Sequence, residues 1–432
     1  MAEVNLSTSL GYQAVMTTSE NKLAYLLAEV KPGDEVGLGP VNLNLAIVLD
    51  KSGSMYAAQK LDFVIQAVKQ AVDMLRPNDL CSIVIFAERA RVLIPSSQIY
   101  DKGTTKVMID KIDHVDVGSG TNMLRAVDAA LYEVRRNFSR DRLNHIIVLT
   151  DGQTLCEREC YERCVMAAEE GISVSTIGVG DDFNEQFLLK IANSCRGTSY
   201  YIDEPRDIQE IFTRELAGVQ NVVLKNCRLN LKLCKDVVVR HAYKVKPLIN
   251  DLGAPEVVDR FCSIELADLQ KGETQSVLYE LLLPSRRSGV YRIATSSMSY
   301  EIPGRGVCDN MAPQEVTITY TDDPSQASIV THKVLQIVDS VSIFRQQTRA
   351  LQLAQEGDRG KATQLLRSAA TQLLQQGQKE LADQALSEAS RIENGSRTTS
   401  AGTKKLEYGT RKLTQLLSEV PGFPQPVSLQ KN

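Results

Sequence analysis

Between residues 41 and 215 the hydrophobic period of the chain switches repeatedly. Short apolar runs of strand length alternate with longer stretches whose apolar residues recur at helical spacing. Residues 43–49, 80–86, 92–95, 145–150, 172–179 and 198–202 read as strands. Residues 60–75, 106–112, 123–138, 160–170, 183–194 and 205–216 read as helices. Runs such as Leu45-Ala46-Ile47-Val48-Leu49 and Ile146-Ile147-Val148-Leu149 lack the polar alternation of a half-exposed strand. Strands of this kind separated by helices imply a mostly parallel sheet covered by helices on both faces. Asp182-Phe183-Asn184-Glu185 reads as a capping box opening one of the helices.

The flanking regions follow other patterns. Residues 1–40 read as two or three strands closed by turns at Pro32-Gly33 and Gly39-Pro40. Three strands cannot easily make a stable sheet with a core alone. Residues 219–322 are again all strand, including Val277-Leu278-Tyr279-Glu280-Leu281-Leu282-Leu283, with Gly and Pro at sandwich-like intervals. The orphan N-terminal strands are expected to complete that sandwich, which makes the α/β region an insertion in it. From 326 the chain turns helical and rich in Gln, Ala and Leu. Two stretches around Leu366 and Ala385 suggest a helical hairpin resembling a tetratricopeptide unit, then a link from Asn394 to Gly402 and a short helix near 404–417. The expected organisation is therefore 1–40 N-terminal sandwich strands, 41–217 doubly wound α/β domain, 218–324 β-sandwich, 325–418 helical region and 419–432 disordered tail.

The bulk numbers narrow the function classes. The 432 residues are 43% hydrophobic, and no apolar run approaches the ~18 residues of a spanning helix. Met1-Ala2-Glu3-Val4-Asn5-Leu6 has neither a basic nor an apolar signal region, so a cytoplasmic location is expected. A net charge of −4 gives no broad basic field for nucleic acid, and the 9 Cys read as reduced thiols.

The chemistry-bearing motif is Asp50-Lys51-Ser52-Gly53-Ser54, directly after the first buried strand. Open α/β sheets place ligand sites at the carboxyl ends of their strands. A carboxylate and two hydroxyls offer only oxygen, which suits a hard divalent cation such as Mg2+. Two further strand-end loops can join them: Gly118-Ser119-Gly120-Thr121-Asn122, and Asp151-Gly152 after the strand ending at Thr150.

With three such loops in register, residues 41–215 resemble a von Willebrand factor type A domain. Its metal-ion-dependent adhesion site is Asp-x-Ser-x-Ser, then Thr, then Asp; here these are Asp50, Ser52, Ser54, Thr121 and Asp151. Met55 and Lys60-Leu61 also resemble the first helix of that family. The resemblance implies Mg2+ (or Mn2+ or Ca2+), with Ser52 and Ser54 as direct ligands and Thr121, Asp50 and Asp151 bound directly or through water. It implies an open coordination position filled by an Asp or Glu of a partner. It further implies that the last helix, at 205–216, can move with the state of the metal. A domain of this type with a sandwich and a helical tail is similar in architecture to bacterial proteins linked to AAA+ ATPases or to kinase and phosphatase signalling.

Other motifs carry less. Cys156, Cys160 and Cys164, at i, i+4, i+8, read as the buried side of a helix rather than a zinc site, which favours tighter pairs from loops. Of the 4 His, His145 opens a core strand and none belongs to a catalytic arrangement. Gly178-Val179-Gly180-Asp181-Asp182 reads as a turn, with Asp181 able to border the metal site. Lys404, Lys405, Arg411 and Lys412 read as a solvated helix face. The expected function is a metal-dependent protein-interaction module that is not an enzyme. A metal-dependent hydrolase or phosphoryl-transfer enzyme, with Lys51 or Asp181 beside the ion, and an RNA-binding scaffold are the alternatives.

Overall fold

In the computed structural model the chain is described over residues 4–34, 36, 41–180, 182–304, 307–395 and 398–417. The first strands are β1 (Val4–Leu10), β2 (Ala14–Met16) and β3 (Lys22–Pro32). The chain then builds a six-stranded sheet from β4 (Leu43–Asp50), β5 (Leu80–Phe86), β6 (Ala90–Gln98), β7 (Leu143–Thr150), β8 (Ile172–Val179) and β9 (Arg196–Ile202). Their spatial order is β6-β5-β4-β7-β8-β9, parallel except for the β6 edge.

Six helices cover this sheet: α1 (Lys60–Met74), α2 (Lys102–Ile109), α3 (Met123–Arg136), α4 (Glu157–Glu169), α5 (Glu185–Ser194) and α6 (Ile208–Gln220). Leu45, Ile47 and Leu49 face the core under α1, α2 and α6, whereas Ala46 and Val48 face the one under α3, α4 and α5. Every residue of β4, β7 and β8 is buried, which explains their unbroken apolar sequence. Asn184, not Asp182, caps α5, accepting from Phe187 N at 3.2 Å.

Asn221 alone joins α6 to the next strand, β10 (Val222–Leu233). There follow β11 (Val238–Lys246), β12 (Asn250–Asp251), β13 (Val257–Val258), β14 (Phe261–Glu265), β15 (Leu269–Gln270), β16 (Gln275–Leu283), β17 (Gly289–Ile302), β18 (Val307–Asn310) and β19 (Gln314–Thr321). They form two sheets that share a core. One runs β1-β3-β16-β11-β12; the other runs β13-β14-β10-β17-β19-β2, with β15 on β10 and β18 on β17. The orphan N-terminal strands thus enter both sheets, and the α/β unit is inserted between β3 and β10.

The remaining chain forms α7 (Pro324–Ala327), α8 (His332–Glu356), α9 (Arg359–Gln375), α10 (Lys379–Glu393), α11 (Ser400–Arg411) and α12 (Leu413–Leu416). The expected hairpin is α9 and α10, but the 25-residue α8 stacks on it and anchors it to the sandwich. The apolar face of α8 lies over Leu27, Tyr243, Val245 and Leu278, on the outer side of the five-stranded sheet. That sheet is therefore covered on both faces, which is why β16 reads as a nearly continuous apolar run. The expected link to Gly402 ends sooner, because Thr399 caps α11 by accepting from Gly402 N at 3.0 Å. The expected tail at 419–432 lies outside the described residues.

Candidate metal centre

Asp50 ends β4 and is fully buried. Its Oδ1 accepts the Ser52 N–H at 2.8 Å and its Oδ2 accepts Thr150 Oγ1 at 2.6 Å. Asp151 follows β7, is also fully buried, and gathers the two serines. Ser54 Oγ donates to Asp151 Oδ1 at 2.7 Å, Ser52 Oγ lies 3.4 Å from the same oxygen, and the two hydroxyls are 3.0 Å apart. Thr121 comes alongside from the third loop: its Oγ1 lies 3.3 Å from where a Cβ on Gly152 would stand. Its carbonyl accepts Thr154 Oγ1 and Leu155 N, both at 3.2 Å, tying the third loop to the second. All five expected residues thus lie on neighbouring loops at one sheet edge.

Two participants were not foreseen. Thr150 orients Asp50, and Lys60, in the first turn of α1, donates to Asp151 Oδ2 at 2.7 Å with its side chain 12% exposed. Lys60 reaches inward because Ala58 and Gln59 adopt left-handed backbone (φ 52° and 58°), which turns the chain between Ser54 and α1. Nothing local in the sequence signals that turn. Lys60 Nζ also lies 3.3 Å from the Cβ position of Gly180, whose φ of 74° favours glycine.

The electrostatics suit a cation. Two buried carboxylates face a single ammonium. Burial pushes the Asp50 carboxyl up to about 6, and the nearby Asp151 charge adds to this; hydrogen bonds from Thr150 and Ser52 oppose it. A site short of positive charge, presenting carboxylate and hydroxyl oxygens, matches the ligand preference of Mg2+ and similar ions. Among the described residues no group of three or more His, Cys, Asp or Glu is arranged to hold a metal. This edge is different in kind, because three of its five donors are hydroxyls.

The same edge is braced by the C-terminal region. Lys404 of α11 is 1% exposed, donates to Phe183 O at 2.8 Å and stands 3.7 Å above the Phe183 ring centre. That ring covers Gly178, where a Cβ would meet it at 2.3 Å. Lys405 pairs with Asp203 at 2.8 Å, and Tyr408 stacks on Tyr201 with ring centres 5.4 Å apart. Arg411, 8% exposed, bonds Glu407 and Ile249 O. The solvated basic face expected of α11 is therefore corrected: Lys404 and Arg411 are buried in contacts with other parts of the chain. Sequence periodicity misses this because Lys404 is held by the Phe183 carbonyl, 221 residues away, and by Glu185, while Arg411 reaches Ile249 O as well as Glu407 on its own helix.

The cysteine stripe is corrected in part. Cys160 and Cys164 are buried with Cys195 in the core under α3–α5, where burial pushes the Cys195 thiol up to about 12. Cys156 is exposed, in left-handed conformation just before α4. Lys51 Nζ stands over the Tyr56 ring at 5.5 Å, and Asp181 lies outside the described residues.

Comparison with known proteins agrees with the fold. Residues 44–214 match the model of the von Willebrand factor type A domain, and 332–416 match the Sll0103-like, C-terminal alpha-helical domain. The chain is 29% identical to the Synechocystis sp. protein sll0103 over 390 residues, 87% of each chain. It is 25% identical to Escherichia coli YfbK over 58% of this chain and 43% of that one. A solved von Willebrand factor type A structure from Catenulispora acidiphila aligns with a TM-score of 0.76 at 17% identity, over 94% of this chain and 96% of that one. The ArnB paralog VWA2 from Sulfolobus acidocaldarius aligns at 0.61, with 16% identity over 96% and 99%. Both fold alike across sandwich, insertion and helices. Residues 44–214 are therefore a von Willebrand factor type A domain, inserted in a β-sandwich and followed by a helical region that matches the Sll0103-like, C-terminal alpha-helical domain.

Proposed function

We propose that this protein is an interaction module that docks an Asp or Glu side chain of a partner protein onto a divalent cation held at the edge of the six-stranded sheet. The observation that carries the reading is the convergence of Ser52, Ser54 and Asp151 within 3.4 Å of one another, beside buried Asp50 and Thr121. Ser52 and Ser54 would hold Mg2+ (or Mn2+ or Ca2+) directly, with Asp50, Thr121 and Asp151 bound directly or through water. Bound there, the cation supplies a Lewis-acidic position that a carboxylate can complete. Neutral hydroxyls leave its charge under-compensated, so an anionic partner group is favoured. The chain's own residues act on the donors: Thr150 fixes Asp50, and Lys60 pairs with Asp151 and would compete with a cation for it.

A hydrolase reading needs a general base or a positive clamp beside the ion. Lys60 is the cation nearest the donors and is engaged with Asp151, and none of the four His lies among the contacts described for the site. The interaction reading is therefore preferred to the enzymatic one. The partner is defined by its exposed acidic group; components of AAA+ or kinase and phosphatase assemblies are candidates on architectural likeness alone. An affinity pull-down from the native extract, with wild type and Ser52→Ala/Ser54→Ala in Mg2+ and in EDTA, tests the proposal. The partner should be retained only by wild type in Mg2+. Equal retention in EDTA would sink the adhesion reading.

A further inference from the structure

The opposite edge of the same sheet, at the N-terminal ends of β7, β8 and β9, closes over a cavity of about 90 Å³. All three structural layers wall it: His145 and Arg196 from the inserted domain, Lys244 and Asp268 from the sandwich, and Arg411 from α11. Three buried polar atoms on this wall have no hydrogen-bond partner among the described residues, Arg196 Nε, Arg411 Nε and Asp268 Oδ1, while His145 Nε2 stands 3.3 Å from the buried Glu215 carboxylate. These three are among the twelve atoms without a hydrogen-bond partner among the described residues, and they face one cavity. His145 is 6% exposed and Arg411 8%. Burying such groups without a partner is unfavourable, so a polar occupant is expected rather than empty space.

The wall's chemistry narrows the occupant. Six Arg or Lys side chains line the cavity against three carboxylates. The two orphaned arginine Nε–H groups are permanent donors and call for acceptor oxygens carrying negative charge. The rest of each guanidinium is held in place: Arg196 by Asn226 Oδ1 and Ala168 O, Arg411 by Glu407 and Ile249 O. Their free Nε–H groups are thus pre-positioned. Asp268 is fixed through Oδ2, which accepts Ser173 Oγ at 2.9 Å. Its free Oδ1 needs a donor. Lys244 adds an ammonium that burial pulls down to about 8 against the upward pull of Glu265.

We propose that this cavity binds a small oxyanion that also carries an acidic hydroxyl, of the orthophosphate class. Phosphate at neutral pH presents P–O− oxygens to the arginine and lysine donors and a P–OH to Asp268 Oδ1. Sulfate carries the charge but no proton at that pH, so Asp268 sets the two anions apart. Water can also fill polar cavities, but it brings no charge to match this wall. Because three layers contribute groups, occupancy would tie the inserted domain, the sandwich and α11 together. The site lies at the other end of the strands from the candidate metal centre and does not depend on it.

Calorimetric titration of the full chain with inorganic phosphate and with sulfate, at constant ionic strength, tests this. Wild type should bind one phosphate per chain and prefer it to sulfate by at least tenfold. Lys244→Met should weaken phosphate at least tenfold, and Asp268→Asn should remove the preference over sulfate. Ser52→Ala/Ser54→Ala should change neither. Absence of saturable phosphate binding, equal affinity for both anions in wild type, or a crystal grown in phosphate with only water in the cavity would each overturn the proposal. The wild-type comparison of two anions keeps the test decisive even if a variant misfolds.

Discussion

The two edges of the six-stranded sheet carry opposite chemistry. At the carboxyl ends of the strands, oxygen donors from three loops turn toward one another and Lys60 supplies the one ammonium among their described contacts. At the amino ends, cationic side chains line a cavity and two arginine Nε–H groups, of Arg196 and Arg411, remain without a partner among the described residues. The first edge is built mostly by loops of the inserted domain and reads as a surface site. The second is built by three layers and reads as an interior one. Parallel strands make the two edges different: every parallel strand enters at one edge and leaves at the other, so the strand-to-helix loops that carry the oxygen donors gather at the carboxyl edge, and the helix-to-strand connections lie at the amino edge. Helix α11 spans the difference, with Lys404 bracing the loop near the first edge and Arg411 entering the second.

The sharpest way to break this comparison is to empty the oxygen site. Ser52→Ala/Ser54→Ala should weaken Mg2+ or Mn2+ binding by roughly 100-fold, about 2.8 kcal/mol, in calorimetry. Phosphate affinity should stay as it was; a joint loss would mean that the edges are not independent. Lys404→Ala should come next, lowering stability by about 2 kcal/mol in denaturant unfolding, because a charge-assisted hydrogen bond and a ring contact are lost from a buried position. Hydrogen exchange should rise in residues 178–185 more than around Ile249, where Arg411 still holds.

Lys60→Met should act in the opposite sense. Removing the ammonium that competes for Asp151 should tighten divalent-ion binding roughly tenfold, about 1.4 kcal/mol. Weaker binding would show instead that Lys60 mainly positions Asp151. The smallest effect is a pH dependence at the cationic edge. Lys244 has a folded pKa of about 8, below its ordinary 10.5, so the folded state disfavours its charged form. The unfolded chain then binds more protons between pH 8 and 10.5, and stability should rise across that window. With residual solvent contact the gain is on the order of 1 kcal/mol. Lys244→Met should remove it, as read by denaturation midpoints at pH 7.5 and 10.

Much of the oxygen edge was legible because its residues lie at fixed offsets from strand ends. Asp50, Ser52 and Ser54 are read from one run, and Asp151 from the end of the strand that closes on Thr150. Lys60 was not legible, since its direction depends on two left-handed residues, Ala58 and Gln59, that no local pattern demands. The basic run on α11 misled for the converse reason. Lys404 is exposed on any isolated helix, and its contacts with Phe183 and Glu185 help to make its burial tolerable. Cys156 fell outside the helix because α4 begins one residue later, and the cysteine periodicity holds only from Cys160.

By itself the sequence determined the doubly wound sheet, its insertion between sandwich strands and the helical character of the C-terminal region, because hydrophobic period is a local property. The same periodicity aligned three oxygen-bearing loops at one edge. Tertiary structure alone decided that α8 covers the outer face of the sandwich, that α11 buries its lysine and arginine against other parts of the chain, and that the far edge of the sheet meets a cavity lined by two arginine Nε–H groups without a partner among the described residues. Those outcomes depend on which surfaces meet: Lys404 is buried where Phe183 and Glu185, far away in the chain, come against it, and a buried charge without such partners is costly.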